Sequence, residues 1–151
     1  MIKFKFLHIA FYLSLLVILT ACDSDTKNSE QKLKICPECN MELPKSNLHT
    51  ATIQTNKINY FDDVGCLVIW TKDNNLDLET AKVKVFSNDT KRYIDAKKAF
   101  YSVDEKTPML YGFSAYENKK ANSISFDEVI MKMLRGEHMA NPKIRKQILG
   151  Y

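Results

Sequence analysis

An α+β fold of two small, related ββαβ-type units packed together is what the sequence predicts, and three observations predict it. The first is a repeat. Asn59-Tyr60-Phe61-Asp62-Asp63-Val64 leads into an apolar helical pattern running to about Lys72. Ile124-Ser125-Phe126-Asp127-Glu128-Val129 leads into another, running to about Arg135, with the phenylalanines 65 positions apart. The second is the short alternating segments ahead of each helix, which have the two-residue period of strands. The third is size. Taking the first 21 of 151 residues as removable leaves 130, enough for one ordinary domain or two very small ones. A unit of half that length buries too little apolar surface alone, so the two are expected to pack against each other. Hydrophobic residues at 45% and charged residues at 26% describe a globular chain and exclude a disordered or fibrous one.

The amino terminus reads as an export signal. Lys3 and Lys5 give a basic start, Phe6–Leu19 is nearly all apolar, and Leu19-Thr20-Ala21-Cys22 puts small residues at the cut. The apolar run is 14 residues, and a membrane span needs about 20. Cysteine directly after Leu-x-Ala resembles the lipobox of bacterial lipoproteins, in which that cysteine is acylated. The expectation is a leader over 1–21, acylated Cys22 in the bilayer, and a polar tether over 22–35. Asp23 directly after the lipid cysteine is similar to the inner-membrane retention signal of Gram-negative lipoproteins.

The first unit is expected over 36–90. His49–Thr55 alternates and Lys57–Phe61 is a second short strand, with a turn near Asn56. Asp62 is expected to cap the helix that follows, with Asp63 at the positive end of its dipole. Val64, Leu67, Val68 and Thr71 share one helical face, with Cys66, Ile69 and Trp70 beside it, a breadth that indicates a largely buried helix. Thr71–Thr80 is a polar loop, Lys82–Phe86 a strand, and Val85–Asp95 the link between units. The second unit, 91–151, has a short strand or loop at Tyr93–Ala96 and strand-like Ala99–Val103 and Tyr111–Tyr116. In its helix Asp127 is the expected cap, Val129, Ile130, Met133 and Leu134 the core stripe, and Gly136 the stop.

Several functions are excluded. Without Lys3 and Lys5 the mature chain holds 20 basic and 18 acidic residues, no field for nucleic acid. None of the four glycines forms a phosphate-cradling loop. No Ser/His/Asp or Cys/His set has readable spacing, and Asp62 and Asp127 read as caps rather than as paired acids, so no enzyme is predicted.

The chemistry concentrates in Cys36-Pro37-Glu38-Cys39-Asn40-Met41, two thiols and a thioether within six residues. With Cys22 lipidated, Cys36, Cys39 and Cys66 remain, an odd number outside the cytoplasm, where thiols normally pair. Four readings compete. A simple disulfide would join Cys36 and Cys39. A thioredoxin-like site needs a strand before the motif and a helix after it, whereas a charged tether precedes it and Glu42-Leu43-Pro44 follows. Zinc needs two further ligands, from Cys66 and either His49 or His138. Thiolate with thioether favours Cu(I), which accepts two or three soft ligands. Met109, in Thr107-Pro108-Met109, stands 17 residues before Phe126 as Met41 stands 20 before Phe61, so a thioether pair between the units is conceivable. Otherwise Met109 fills core space. By position alone Cys66 is a core thiol, His138 part of a surface turn and His49 on a strand's polar face.

The lipobox ending in Cys22, Cys39-Asn40-Met41, Phe61-Asp62-Asp63, Tyr93-Ile94-Asp95-Ala96, Ala99-Phe100-Tyr101, Thr107-Pro108-Met109 with Gly112-Phe113, and Ala115-Tyr116 follow one another over nearly the whole mature chain. In that order they resemble the NosL family, lipoprotein copper chaperones that serve maturation of nitrous oxide reductase. The resemblance implies two related ββαβ-type units and one Cu(I) per chain. Cys39, Met41 and Met109 match the family's sulfur positions, and Cys36 is a further candidate ligand. It also implies a non-enzymatic carrier on the outer face of the cytoplasmic membrane. Such a carrier delivers copper to nitrous oxide reductase or to its membrane-bound assembly machinery. Asn40 and Leu110 stand where the family usually has glycine. The extra Cys36 keeps open a thiol-disulfide protein or a structural zinc module built on Cys36 and Cys39.

Overall fold

Ahead of the first helix the chain forms a hairpin: β1 (Ala51–Gln54) and β2 (Ile58–Phe61) are antiparallel with Ala51 opposite Phe61. A tight turn closes it, with the Thr55 N–H donating to the Lys57 carbonyl at 3.0 Å. The computed structural model describes residues 34–151, so the expected leader, Cys22 and most of the tether lie outside the described residues. Helix α1 (Val64–Asp73) follows, then β3 (Lys82–Phe86) and β4 (Tyr93–Asp95). The four strands form one antiparallel sheet in the order β2-β1-β3-β4. Ala51, Ile53, Val83 and Val85 are buried, as are Val64, Leu67, Val68 and Thr71 of α1. The broad apolar face read from the sequence is thus a buried helix against a sheet.

The second region is smaller. A 3-10 turn (Ala96–Lys98) leads into β5 (Phe100–Tyr101), which pairs with β6 (Ala115–Tyr116). Then come α2 (Phe126–Arg135) and α3 (Pro142–Leu149). The α+β class and two sheet-and-helix regions are therefore present, while the two regions differ in detail. Segment 87–92, expected as a link, is a turn, with the Ser87 N–H donating to the Arg92 carbonyl at 2.9 Å, so β4 joins the first sheet across the expected boundary at 90. A polar run of six residues reads alike as linker or hairpin turn; pairing partners decide, and they are remote in sequence.

The caps are also shifted. Asp63, not Asp62, caps α1, its Oδ1 accepting from the Gly65 N–H at 2.9 Å. Ser125, not Asp127, caps α2 in a capping box with Glu128. Gly136 ends α2 in the left-handed region, as expected. Leu134 is exposed rather than part of the core stripe. Helix α3 was not expected, although Asn141 as cap, Pro142 in the first turn and Gly150 at the end are its signals.

α1 and α2 pack against each other over a core that includes Phe61, Leu67, Tyr101, Phe113, Phe126 and Val129. The buried Tyr101 ring stacks on Phe126, centroids 5.9 Å apart, and its hydroxyl donates to the Ala96 carbonyl at 2.9 Å. Gly65 in the first turn of α1 lets Tyr111 lie close. A Cβ there would stand 2.2 Å from Tyr111 Cδ2 and 2.9 Å from Met133 Cε. Gly65→Ala is therefore expected to destabilise the chain by about 1–3 kcal/mol, read by denaturant unfolding, because overpacking forces the ring and helix apart.

Candidate metal centre

Two segments build the centre. The first is a tight loop pinned at its base, where Ile35 and Glu42 bridge. Within it the Cys36 N–H donates to the Met41 carbonyl at 2.8 Å and the Asn40 N–H to the Cys36 carbonyl at 3.0 Å. Asn40 closes the loop at φ 60°, a left-handed conformation that asparagine tolerates better than most residues. The second segment is the junction of β2 and α1. Asp62 follows the strand, and Cys66 lies one turn further on, in the first turn of α1.

The loop and the junction bring together Cys36, Cys39, Asp62 and Cys66, whose ligand atoms all lie within 4.8 Å of one another. Cys36, Asp62 and Cys66 are completely buried and Cys39 is half-buried. The Cys39 thiol donates to Asp62 Oδ1 at 3.2 Å, while Asp62 Oδ2 is buried without a hydrogen-bond partner. A buried carboxylate oxygen left unpaired costs the full desolvation of that group, and a cation among the thiols would remove the cost.

The protons in the cluster are unevenly held. The Cys66 thiol donates to Cys36, and backbone N–H groups of Cys39 and Asp62 add to it against the opposing effect of burial, so the Cys36 thiol is lowered to about 6. Cys66 is pushed well up by that same hydrogen bond and by burial. Burial raises Cys39 to about 12, with the neighbouring Asp62 carboxylate and Cys36 thiol adding to the rise. Behind them, burial raises Asp63 to about 6 against donation from Thr107, Gly65 and Met109, with the Asp62 charge raising it further. The cluster thus gathers thiols and a carboxylate at the positive end of a helix dipole. A bound cation would displace the thiol protons.

The attacking sulfur of a dithiol exchange must be both acidic and reachable. Here the acidic thiol, Cys36, is fully buried, and the reachable one, Cys39, is raised. The three described cysteines are free thiols.

Of the sequence candidates, Cys36 and Cys39 lie in this group. Met41 follows them on the same loop with 43% of its surface exposed. Met109 is half-buried beside the core, and its backbone N–H donates to Asp63 Oδ2 at 3.3 Å, which ties its loop to the residue next to Asp62. Neither histidine belongs to the group. His49 Nδ1 is 2.8 Å from Ser114 Oγ, and the His138 ring meets Tyr111 edge-on at 4.9 Å. The reading of Cys66 as a plain core thiol and of Asp62 as a cap is corrected: both face the two loop thiols. A signal was present, since residues four apart at a helix start lie on one side.

Leu110 holds φ 56° in the turn closed by its N–H to the Thr107 carbonyl at 3.0 Å. A branched side chain in that region is strained by about 1–2 kcal/mol, more than glycine's flexibility costs. Leu110→Gly is expected to raise the unfolding free energy by about 0.5–1 kcal/mol, measured by denaturant titration.

Fold and centre together define a small α+β domain with a Cys3Asp cluster able to chelate a metal ion. Among the described residues, no helix is long and apolar enough to cross a membrane. Compared with known proteins, the chain matches no family model, no curated protein and no solved structure.

Proposed function

We propose that the chain is a non-catalytic, extracytoplasmic metal-binding domain in which Cys36, Cys39, Cys66 and Asp62 hold one Zn(II). The observation that carries this reading is the convergence of four donors, three of them fully buried, around an unpaired carboxylate oxygen. Tetrahedral zinc with thiolates at about 2.3 Å and a carboxylate at about 2.0–2.2 Å separates its donors by roughly 3.5–3.8 Å, within the observed spread. The oxygen supports zinc over copper: a carboxylate suits Zn(II), and Cu(I) gains little from it. Such an ion would tie the 36–41 loop to α1 and the first sheet.

A second reading rests on Met41, a half-exposed thioether on the same loop as two of the thiols. In it the chain carries Cu(I), with Cys39, Met41 and Met109 as the ligands that the NosL resemblance implies and Cys36 as a further one. Asn40 and Leu110, which replace that family's glycines, both keep the left-handed conformation that glycine favours, so the loop shapes are compatible with the family's motifs. The cargo would then pass to nitrous oxide reductase or its membrane-bound assembly machinery, with the chain anchored through acylated Cys22 on the outer face of the cytoplasmic membrane. Anchoring would raise its concentration beside such a partner.

Anaerobic purification with metal analysis, then competitive titration with Zn(II) and Cu(I), separates the two. The zinc reading expects one zinc per chain, at least tenfold weaker zinc binding in Asp62→Asn, and no change in Met41→Ala; tenfold is about 1.4 kcal/mol. Cu(I) binding that weakens tenfold in Met41→Ala and ignores Asp62→Asn would instead establish the carrier.

A further inference from the structure

Charge is distributed unevenly along the chain. Residues 126–151 hold five cations, Lys132, Arg135, Lys143, Arg145 and Lys146, against three acids, Asp127 and Glu128 in the first turn of α2 and Glu137. Their balance of +2 equals that of the chain from residue 22 onward, 20 basic against 18 acidic residues, so residues 22–125 are neutral overall. Among the described residues only Lys132 of the five forms an ion pair, with Glu137 at 3.6 Å. The same stretch holds Met131, Leu134, Leu149 and Tyr151, half of the large apolar side chains exposed among the described residues. No residue of helix α3 is fully buried; Ile144, Arg145 and Ile148 are partly covered. Between it and α2 runs a groove of about 550 Å³ whose lining includes Val103, Ile124, Ile144 and Ile148.

We propose that the outer face of α2 together with α3 is a docking surface for an anionic lipid bilayer. Unpaired cations interleaved with exposed leucine, methionine and tyrosine have the composition of interfacial helices, whose apolar side chains enter the headgroup boundary while Lys and Arg meet lipid phosphates. Anionic headgroups attract each such cation appreciably, and the attraction fades within a Debye length. The surface would hold the domain against the membrane in a fixed orientation. It depends neither on the metal nor on the acyl chain.

The test uses the chain from residue 22 with Cys22→Ser, which keeps the compact unit Leu33–Tyr151 intact and removes the acylation site. It is sedimented with vesicles of phosphatidylcholine, alone or with one third phosphatidylglycerol, at low and high salt. Binding is expected to the anionic vesicles only and to be lost at high salt. Lys143→Glu with Arg145→Glu and Lys146→Glu should weaken it tenfold or more, and Leu149→Ser with Tyr151→Ser severalfold. The melting temperature should be unchanged in each case, since α3 is not part of the core. Lys82→Glu with Lys84→Glu and Lys91→Glu makes the same charge change at exposed positions elsewhere and should have a much smaller effect. No binding to anionic vesicles would overturn the proposal. So would equal binding to neutral vesicles, an equal loss in the control variant, or association with acidic proteins alone.

Discussion

Stripping the metal with a chelator is expected to lower the thermal midpoint of the chain by about 15 °C. The unfolded chain cannot hold Cys36, Cys39, Asp62 and Cys66 together, so binding free energy becomes folding free energy. With free zinc 1,000-fold above its Kd the gain is about 4 kcal/mol. At this chain length each kcal/mol moves the midpoint by roughly 4 °C. The chelated chain also keeps the buried Asp62 Oδ2 without a partner. Differential scanning calorimetry of zinc-loaded and chelated protein under reducing conditions reads the shift directly. Equal midpoints would mean that the cluster binds nothing tightly.

Cys66→Ala is expected to weaken zinc binding by about 100-fold, about 2.7 kcal/mol. Because Cys66 is fully buried in α1 with its sulfur within 4.8 Å of the ligand atoms of Cys36, Cys39 and Asp62, the variant removes one of the four proposed ligands. In the metal-free state the loss should be smaller, about 1–2 kcal/mol, from the small cavity left behind. The two effects separate the roles. A core thiol alone would destabilise both states equally and leave affinity untouched, whereas a ligand destabilises the loaded state more. Competition titration and paired melting curves distinguish them.

Much of the fold was legible because its signals are local. The period of two in residues 51–54 and 58–61, the broad apolar face of α1 and the Gly136 stop all follow from neighbours within a turn or a strand. What escaped depends on remote partners. Tyr93–Asp95 becomes a strand of the first sheet only because β3 offers its free edge, and nothing between residues 87 and 92 announces that pairing. The caps shifted because Asp62-Asp63 and Ser125-Phe126-Asp127 each offer two candidate cap residues, and the turn geometry selects one.

The centre was half legible for the same reason. Cys36 and Cys39 declare themselves by spacing. Cys66 is camouflaged by apolar neighbours, and Asp62 by its place before a helix, where an acid is ordinary. Their joint meaning appears only when the 36–41 loop folds over the start of α1. The odd number of cysteines pointed there as well as the four-residue spacing of Asp62 and Cys66, since a single disulfide leaves one thiol unexplained.

X-ray absorption at the zinc edge of the loaded, reduced protein tests the central claim most directly. The account predicts three sulfur neighbours at about 2.3 Å and one oxygen at about 2.0–2.2 Å, with the oxygen lost or replaced in Asp62→Asn. A shell of nitrogen and oxygen with at most one sulfur, unchanged in Cys66→Ala, would contradict it.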